Sequence, residues 1–196
     1  MTNITTISIY CGSSLGKNKI YKDMAILLGQ AIHDRGLNLV YGGGNVGLMG
    51  VIANTVLQLG GKVTGVLPHF LNKKEVGNLD IDELILVDSM HERKQKISEI
   101  SDAFIAMPGG FGTLEEVSEM LTWTQLGLSK KPIGIFNANG FYDLLLNQFD
   151  RMVDEGFLKE ENRRMLVDDH DPERLLDKLF KYEPIATPKW LHSDQT

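Results

Sequence analysis

Short β-branched runs alternate along the chain with longer stretches in which apolar residues recur every three or four positions. That alternation is the pattern of a parallel sheet covered by helices. Ile4–Cys11 predicts a first strand, running into Gly12-Ser13-Ser14-Leu15-Gly16. Over Ile20–Arg35, the residues Ile20, Met24, Leu27, Leu28, Ala31 and Ile32 then fall at helical spacing, and Gly36 is a C-terminal stop. Leu37–Tyr41 reads as a second strand, followed by a glycine run from Gly42 and a helix to about Leu59. Lys62–Leu67 is a third strand, and Leu84–Val87, Ala103–Met107 and Ile133–Phe136 follow, each ahead of a loop and a helical pattern. Phe141–Glu155 and Pro172–Lys181 read as helices. The segment Pro68–Asp82 carries the least pattern and reads as a loop or lid. The expectation is one doubly wound α/β domain over residues 1–183, a mainly parallel sheet flanked by helices, with an irregular tail over 184–196. In such folds ligands sit beyond the carboxyl ends of the strands, where two glycine-rich segments fall.

Composition narrows the function. A chain of 196 residues can bury one substantial core, and 42% hydrophobic with 23% charged residues suits a soluble globular protein. The net charge of -6 argues against binding a nucleic-acid polymer or an anionic membrane, both of which need a basic face. A single nucleotide needs only a local cluster of donors. The N-terminus lacks the basic-then-apolar pattern of a signal peptide, and no apolar run approaches the ~20 residues of a membrane span. The lone cysteine, Cys11, allows no internal disulfide and suits a reducing cytosol, so a cytoplasmic protein is expected. Cys11 ends a strand without an evident base and reads as a buried structural thiol. The histidines show no metal-ligand spacing, and no metal is expected.

Three segments carry candidate chemistry. In Gly42-Gly43-Gly44-Asn45-Val46-Gly47-Leu48-Met49-Gly50 the glycines stand between a strand and a helix, where backbone can approach a phosphate or ribose. A dinucleotide site is disfavoured, because the run follows the second strand and no acidic residue stands ~20 positions on. In Pro108-Gly109-Gly110-Phe111-Gly112-Thr113-Leu114-Glu115-Glu116, Thr113 and Glu116 have the spacing of a capping box. That leaves the crowded glycines unexplained, and an anion-receptive turn accounts for them better. A carboxylate in a first helical turn is kept ionised by the helix terminus. Glu115 and Glu116 point about 100° apart and cannot face one small site alike. In Ser89-Met90-His91-Glu92-Arg93-Lys94, Ser89 and Glu92 form another capping box. Met90, Arg93, Ile97 and Ile100 share one stripe, which puts an arginine on an apolar face. A structural salt bridge, a stem that snorkels to solvent, or a pocket anion accounts for it; the anion-receptive turn nearby favours the pocket. His91 falls at the pocket rim or on the solvent side.

These blocks together, with Cys11-Gly12-Ser13-Ser14 upstream, resemble the signature segments of the LOG ("Lonely guy") family of cytokinin riboside 5′-monophosphate phosphoribohydrolases. The likeness runs from Cys11 to about Gly134, and pairing P-G-G-x-G-T-x-x-E with M-H-x-R-K makes it specific. The resemblance implies a Rossmann-like homodimer that needs no cofactor and releases a free base and ribose 5-phosphate from AMP or N6-prenylated AMP. It implies Arg93 and Glu116 as the catalytic pair. It places Glu75, Arg93, Lys94, Gly110, Phe111, Gly112, Thr113, Leu114, Glu115, Glu116 and Thr122 on the nucleotide. Relatives also carry a lysine decarboxylase label, which no Schiff-base lysine framework here supports. Two rival readings stand beside the hydrolase: a module that binds a nucleotide without cleaving it, and a carrier of a larger phosphorylated cofactor such as a molybdopterin.

Overall fold

The computed structural model describes residues 4–72 and 77–185; Glu75 and the end of the tail lie outside the described residues. Seven strands form one sheet: β1 (Thr6–Tyr10), β2 (Asn38–Tyr41), β3 (Val63–Pro68), β4 (Glu83–Val87), β5 (Ala103–Ala106), β6 (Ile133–Phe136) and β7 (Leu166–Asp169). Their order is β4-β3-β2-β1-β5-β6-β7, and every pairing is parallel. The helices are α1 (Ile20–Asp34), α2 (Gly47–Gln58), α3 (His69–Asn72), α4 (Met90–Ile100), α5 (Phe111–Gln125), α6 (Asp143–Asp154), α7 (Glu160–Arg163) and α8 (Pro172–Phe180).

A parallel sheet must be covered on both faces, and alternate strand residues feed the two layers. Ile7, Ile9, Leu39 and Tyr41 pack with Leu28, Ile32, Ile52, Leu175 and Leu179 of α1, α2 and α8. Tyr10, Phe104, Ala106 and Ile135 pack with Ile97, Val117, Met120 and Leu146 of α4, α5 and α6. The doubly wound domain expected from the pattern is therefore present. The pattern did not show β7, because only Leu166 and Val167 of its four residues are apolar. It is held instead by its register on β6 and by Asp169. The Asp169 carboxylate accepts from Asp171 N, the Arg174 guanidinium and Lys178 Nζ, which together hold its pKa well below the usual carboxylate range despite burial.

The chain moves outward from β1 to β4 and then returns to the other side of β1 as β5. The loops leaving β1 and β5 diverge at that reversal, and a cleft of about 310 Å³ opens between them. Its lining includes Ser13, Ser14, Tyr21, Gly110 and Phe141. Backbone bonds tie the crest together: Gly12 N donates to Pro108 O at 3.0 Å, and Leu48 N to Gly12 O at 3.0 Å. The glycine run from Gly42 is largely spent on this packing rather than left open for a phosphate. Gly43 lies against Leu67 and Leu84, Gly44 bridges to Gly77, and Asn78 N donates to Gly43 O. The described end of the expected lid, Gly77–Asp82, is thus pinned to the crest, with Asn78 1% exposed.

Gly47 begins α2 at φ +57 with its Cα against the Ser13–Ser14 backbone, where a Cβ would collide with main-chain atoms. Gly36 shares a positive φ of +67 but has open space around it. Gly47→Ala is expected to cost more than about 2 kcal/mol in a urea unfolding midpoint. Gly36→Ala, with only the backbone conformation against it, is expected to cost about 1 kcal/mol.

Candidate active site

The serine cap at Ser89 forms and sets the phase of α4, while Glu92 reaches one residue further back than the expected capping box requires. Ser89 Oγ accepts from Glu92 N at 3.1 Å, while Glu92 Oε2 accepts from Asp88 N at 2.7 Å. With the helix starting at Met90, Arg93 stands one turn before fully buried Ile97 and so points over the top of the sheet. The Arg93 side chain is only 12% exposed. Its guanidinium fills the space above Gly42, where any Cβ would strike Nη2. That contact explains the first glycine of the run: it clears a slot for an arginine. Arg93 Nη2 meets Glu116 Oε1 at 3.3 Å, and Nε is buried with no hydrogen-bond partner among the described residues.

Glu116 reaches this position on α5, which starts earlier than its residue types suggest. Gly110, in extended conformation, is the N-cap, and Leu114 N donates to Gly110 O at 3.2 Å. Thr113 is therefore the third helical residue and Glu116 the sixth, and the capping box expected between them does not exist. Thr113 is buried with its hydroxyl over Gly109, while nothing approaches Gly110 or Gly112. The open glycines lie beside the first-turn N–H groups, which have no acceptor within the helix. Glu116 is 8% exposed. Burial pushes its pKa above the ordinary value, with Arg93 pulling it back and Glu115 adding to the rise. The expectation of a carboxylate kept ionised by the helix terminus is corrected here. Glu116 lies past the first turn, and desolvation outweighs a dipole that fades within that turn.

Lys94 follows Arg93 and turns to the other side of the same helix pair. It is 8% exposed, with Nζ 2.5 Å from Glu115 Oε1 and 2.9 Å from Glu119 Oε1. Burial alone would lower its pKa, but the two carboxylates outweigh that and raise it. Glu115 is half exposed and faces away from Glu116, as helical geometry requires. Phe111 is exposed and Leu114 half-buried beside it. Thr122 is exposed, donates to Ser118 O at 2.8 Å, and lies in a separate shallow groove with Leu121, Phe149 and Asn162. The structure therefore brings Arg93, Glu116, Lys94 and Glu115 together and leaves Thr122 apart; Glu75 is not among the described residues. His91 is exposed. Cys11 is buried, and burial pushes its thiol far up. Among the described residues no group of three or more His, Cys, Asp or Glu could hold a metal ion.

Two parts of the site were not visible in the residue pattern. Tyr142 Oη donates to Met107 O at 2.6 Å and so fixes the chain just before Pro108. Tyr10 lies beneath the pair, its phenol pushed up by burial and by Glu116. Both residues read as ordinary core aromatics, and only their hydroxyl positions distinguish them.

Residues 49–179 match a family model described as "possible lysine decarboxylase". A cytokinin riboside 5′-monophosphate phosphoribohydrolase LOG of Oryza sativa subsp. japonica is 46% identical over 178 residues, 91% of this chain and 74% of the relative. One from Arabidopsis thaliana is 45% identical over 189 residues, 94% and 83% of the two chains. The chain belongs to the LOG family. Among solved structures, the molybdenum cofactor binding protein of Rippkaea orientalis superposes with a TM-score of 0.69 at 22% identity, covering 92% of this chain and 98% of that one. At that identity the likeness is one of fold. The two sequence blocks that carry Arg93 and Glu116 come together in the fold as one buried ion pair.

Tyr142→Phe tests the support beneath this site. It leaves the Met107 carbonyl without its donor and is expected to lower unfolding stability by about 1–2 kcal/mol in a urea titration, with secondary structure retained.

Proposed function

We propose that this chain hydrolyses the N-glycosidic bond of a nucleoside 5′-monophosphate, AMP or its N6-prenylated form, to a free base and ribose 5-phosphate. The observation that carries the reading is the buried Arg93–Glu116 pair beside an open, glycine-rich helix start. It is supported by 45–46% identity to proteins named for this activity.

Breaking the ribosyl C–N bond builds positive charge on the sugar, as in glycoside hydrolysis. Ionised Glu116 stabilises that charge and positions the attacking water, whose oxygen bonds to the anomeric carbon while a proton passes to the departing base. The carboxylate is desolvated, so its field on the sugar is stronger than it would be in water. Arg93 opposes the effect of burial and so favours the ionised form of Glu116. First-turn N–H groups over Gly110–Thr113 receive the 5′-phosphate, helped by the α5 dipole. Glu75, Lys94, Glu115 and Thr122 complete the nucleotide contacts that the family likeness implies.

Thr122 also supports a homodimer. It lies six residues beyond Glu116, about 240° around α5, and so faces another side of the helix; the nucleotide contact that the family likeness implies for it fits a ligand held by a second copy. No helix among the described residues is long and apolar enough to cross a membrane, and a lone buried thiol suits the cytosol.

The decarboxylase description does not fit these side chains. A Schiff-base lysine attacks as the free amine, whereas Lys94 is held as an ammonium by two carboxylates. Lys131, whose pKa burial lowers, stands before β6, at the amino ends of the strands and away from the crest.

Incubation with AMP and with isopentenyl-AMP, followed by chromatography of the free base, separates a hydrolase from a module that only binds or carries a phosphorylated ligand. Base release is expected; binding without release overturns the reading. Glu116→Gln is expected to fold with a lowered melting temperature, because Arg93 is left buried without its counter-charge, and to lose at least ~10²-fold in turnover. The pH profile has a defined sign. Because the folded pKa of Glu116 is raised, kcat/KM is expected to fall on the acid side through a value above the ordinary ~4.3 of a glutamate.

A further inference from the structure

Two consecutive cations of α4 meet α5, and only one of them touches the carboxylate assigned to the chemistry. Arg93 serves Glu116 at 3.3 Å, while Lys94 holds Glu115 at 2.5 Å and Glu119 at 2.9 Å. Glu115, Glu116 and Glu119 therefore crowd three negative charges into little more than one turn of α5. Glu115 and Glu119 lie one turn apart on the same face, the spacing at which like charges repel. The titratable groups whose charge acts on Glu116 are Arg93 and Lys94 from α4, Glu115 and Glu119 from α5, Tyr10 at the end of β1 and Cys11 directly after it. Tyr10 and Cys11 are kept neutral, since burial pushes both far up. The charge balance at Glu116 is thus set by two cations against two further carboxylates.

Building on the phosphoribohydrolase reading, we propose that Lys94 is a positioning residue: its ammonium holds Glu115 and Glu119 on their own side of α5, leaving Arg93 to Glu116 and keeping Glu116 ionised for the reaction. The Lys94 side chain is 10% exposed, and two of its three N–H donors already serve these carboxylates. Before any nucleotide binds, it is the counterion of the neighbours of Glu116. The directions agree with the geometry: Lys94 lowers the pKa of Glu116, and Glu115 and Glu119 raise it. Salt screens such an effect poorly, because Lys94 and Glu116 are both nearly out of water.

The test compares wild type with Lys94→Met, Lys94→Arg and Glu119→Gln. The readouts are the pH dependence of kcat/KM for ribose 5-phosphate release and, without substrate, the ¹³C carboxyl titration of Glu116. Lys94→Met is expected to move the acidic limb and the Glu116 titration upward by about one pH unit, the effect of losing a nearby opposite charge. Lys94→Arg should stay near wild type, and Glu119→Gln should move both readouts downward. A Lys94→Met protein with raised KM and an unmoved titration would make the lysine a nucleotide contact only and overturn the proposal. A lower melting temperature with an unmoved titration would overturn it in favour of simple packing. If Lys94→Met does not fold, Lys94→Gln, which keeps a donor without the charge, is read in the same way, and an unmoved Glu116 titration overturns the proposal. A wild type that releases no ribose 5-phosphate would defeat the phosphoribohydrolase reading, and the substrate-free titration would still decide the role of Lys94.

Discussion

A guanidinium and a carboxylate, both nearly out of water, face each other above the sheet, and neither could remain there without the other. Much of the local architecture follows from accommodating that pair. Gly42 has no side chain because the arginine occupies its space. The serine cap at Ser89 fixes the rotation of α4 that aims Arg93 inward. Gly110 starts α5 early enough that Glu116 falls on the buried face beside Val117 and Met120. The reversal of strand order brings α4 and α5 to the same side of the sheet, so two residues 23 positions apart in sequence become partners.

Burial does two things to the pair at once. It strengthens the field of the carboxylate on anything placed beside it, and it penalises the ionised form that produces the field. Arg93 offsets part of this penalty for Glu116, and Lys94 ties Glu115 and Glu119 to its own side of α5. The crowd of charge on α5 is therefore an ordered arrangement in which each carboxylate has a designated cation.

The sequence was most legible where one periodicity governed a long segment. The first six strands and the long helices were visible as apolar patterns, and so was the anomaly of an arginine on the Met90–Ile100 stripe. Legibility failed where position depends on tertiary fit. The capping box at Thr113 was plausible from residue types, but the helix begins at Phe111, so Thr113 is buried and Glu116 lies beyond the reach of the helix end. The run from Gly42 read as a place for phosphate, yet it is filled by Arg93, Leu67, Leu84 and the Ser13 backbone. β7 escaped because two apolar residues make no pattern, and the Tyr142 hydroxyl bond because a core tyrosine looks like any other.

The crest holding the site is joined by peptide groups: Gly12 N to Pro108 O, Leu48 N to Gly12 O, and Asn78 N to Gly43 O. Bonds of this kind do not depend on which side chains the loops carry. Ser13, Ser14, Leu15 and Phe111 project from a frame they do little to build, and all four are exposed. The surface of the cleft can therefore drift in shape and polarity while the frame and the ion pair beneath it stay constant. A fold organised in this way can change what it recognises without rebuilding the machinery that acts on it.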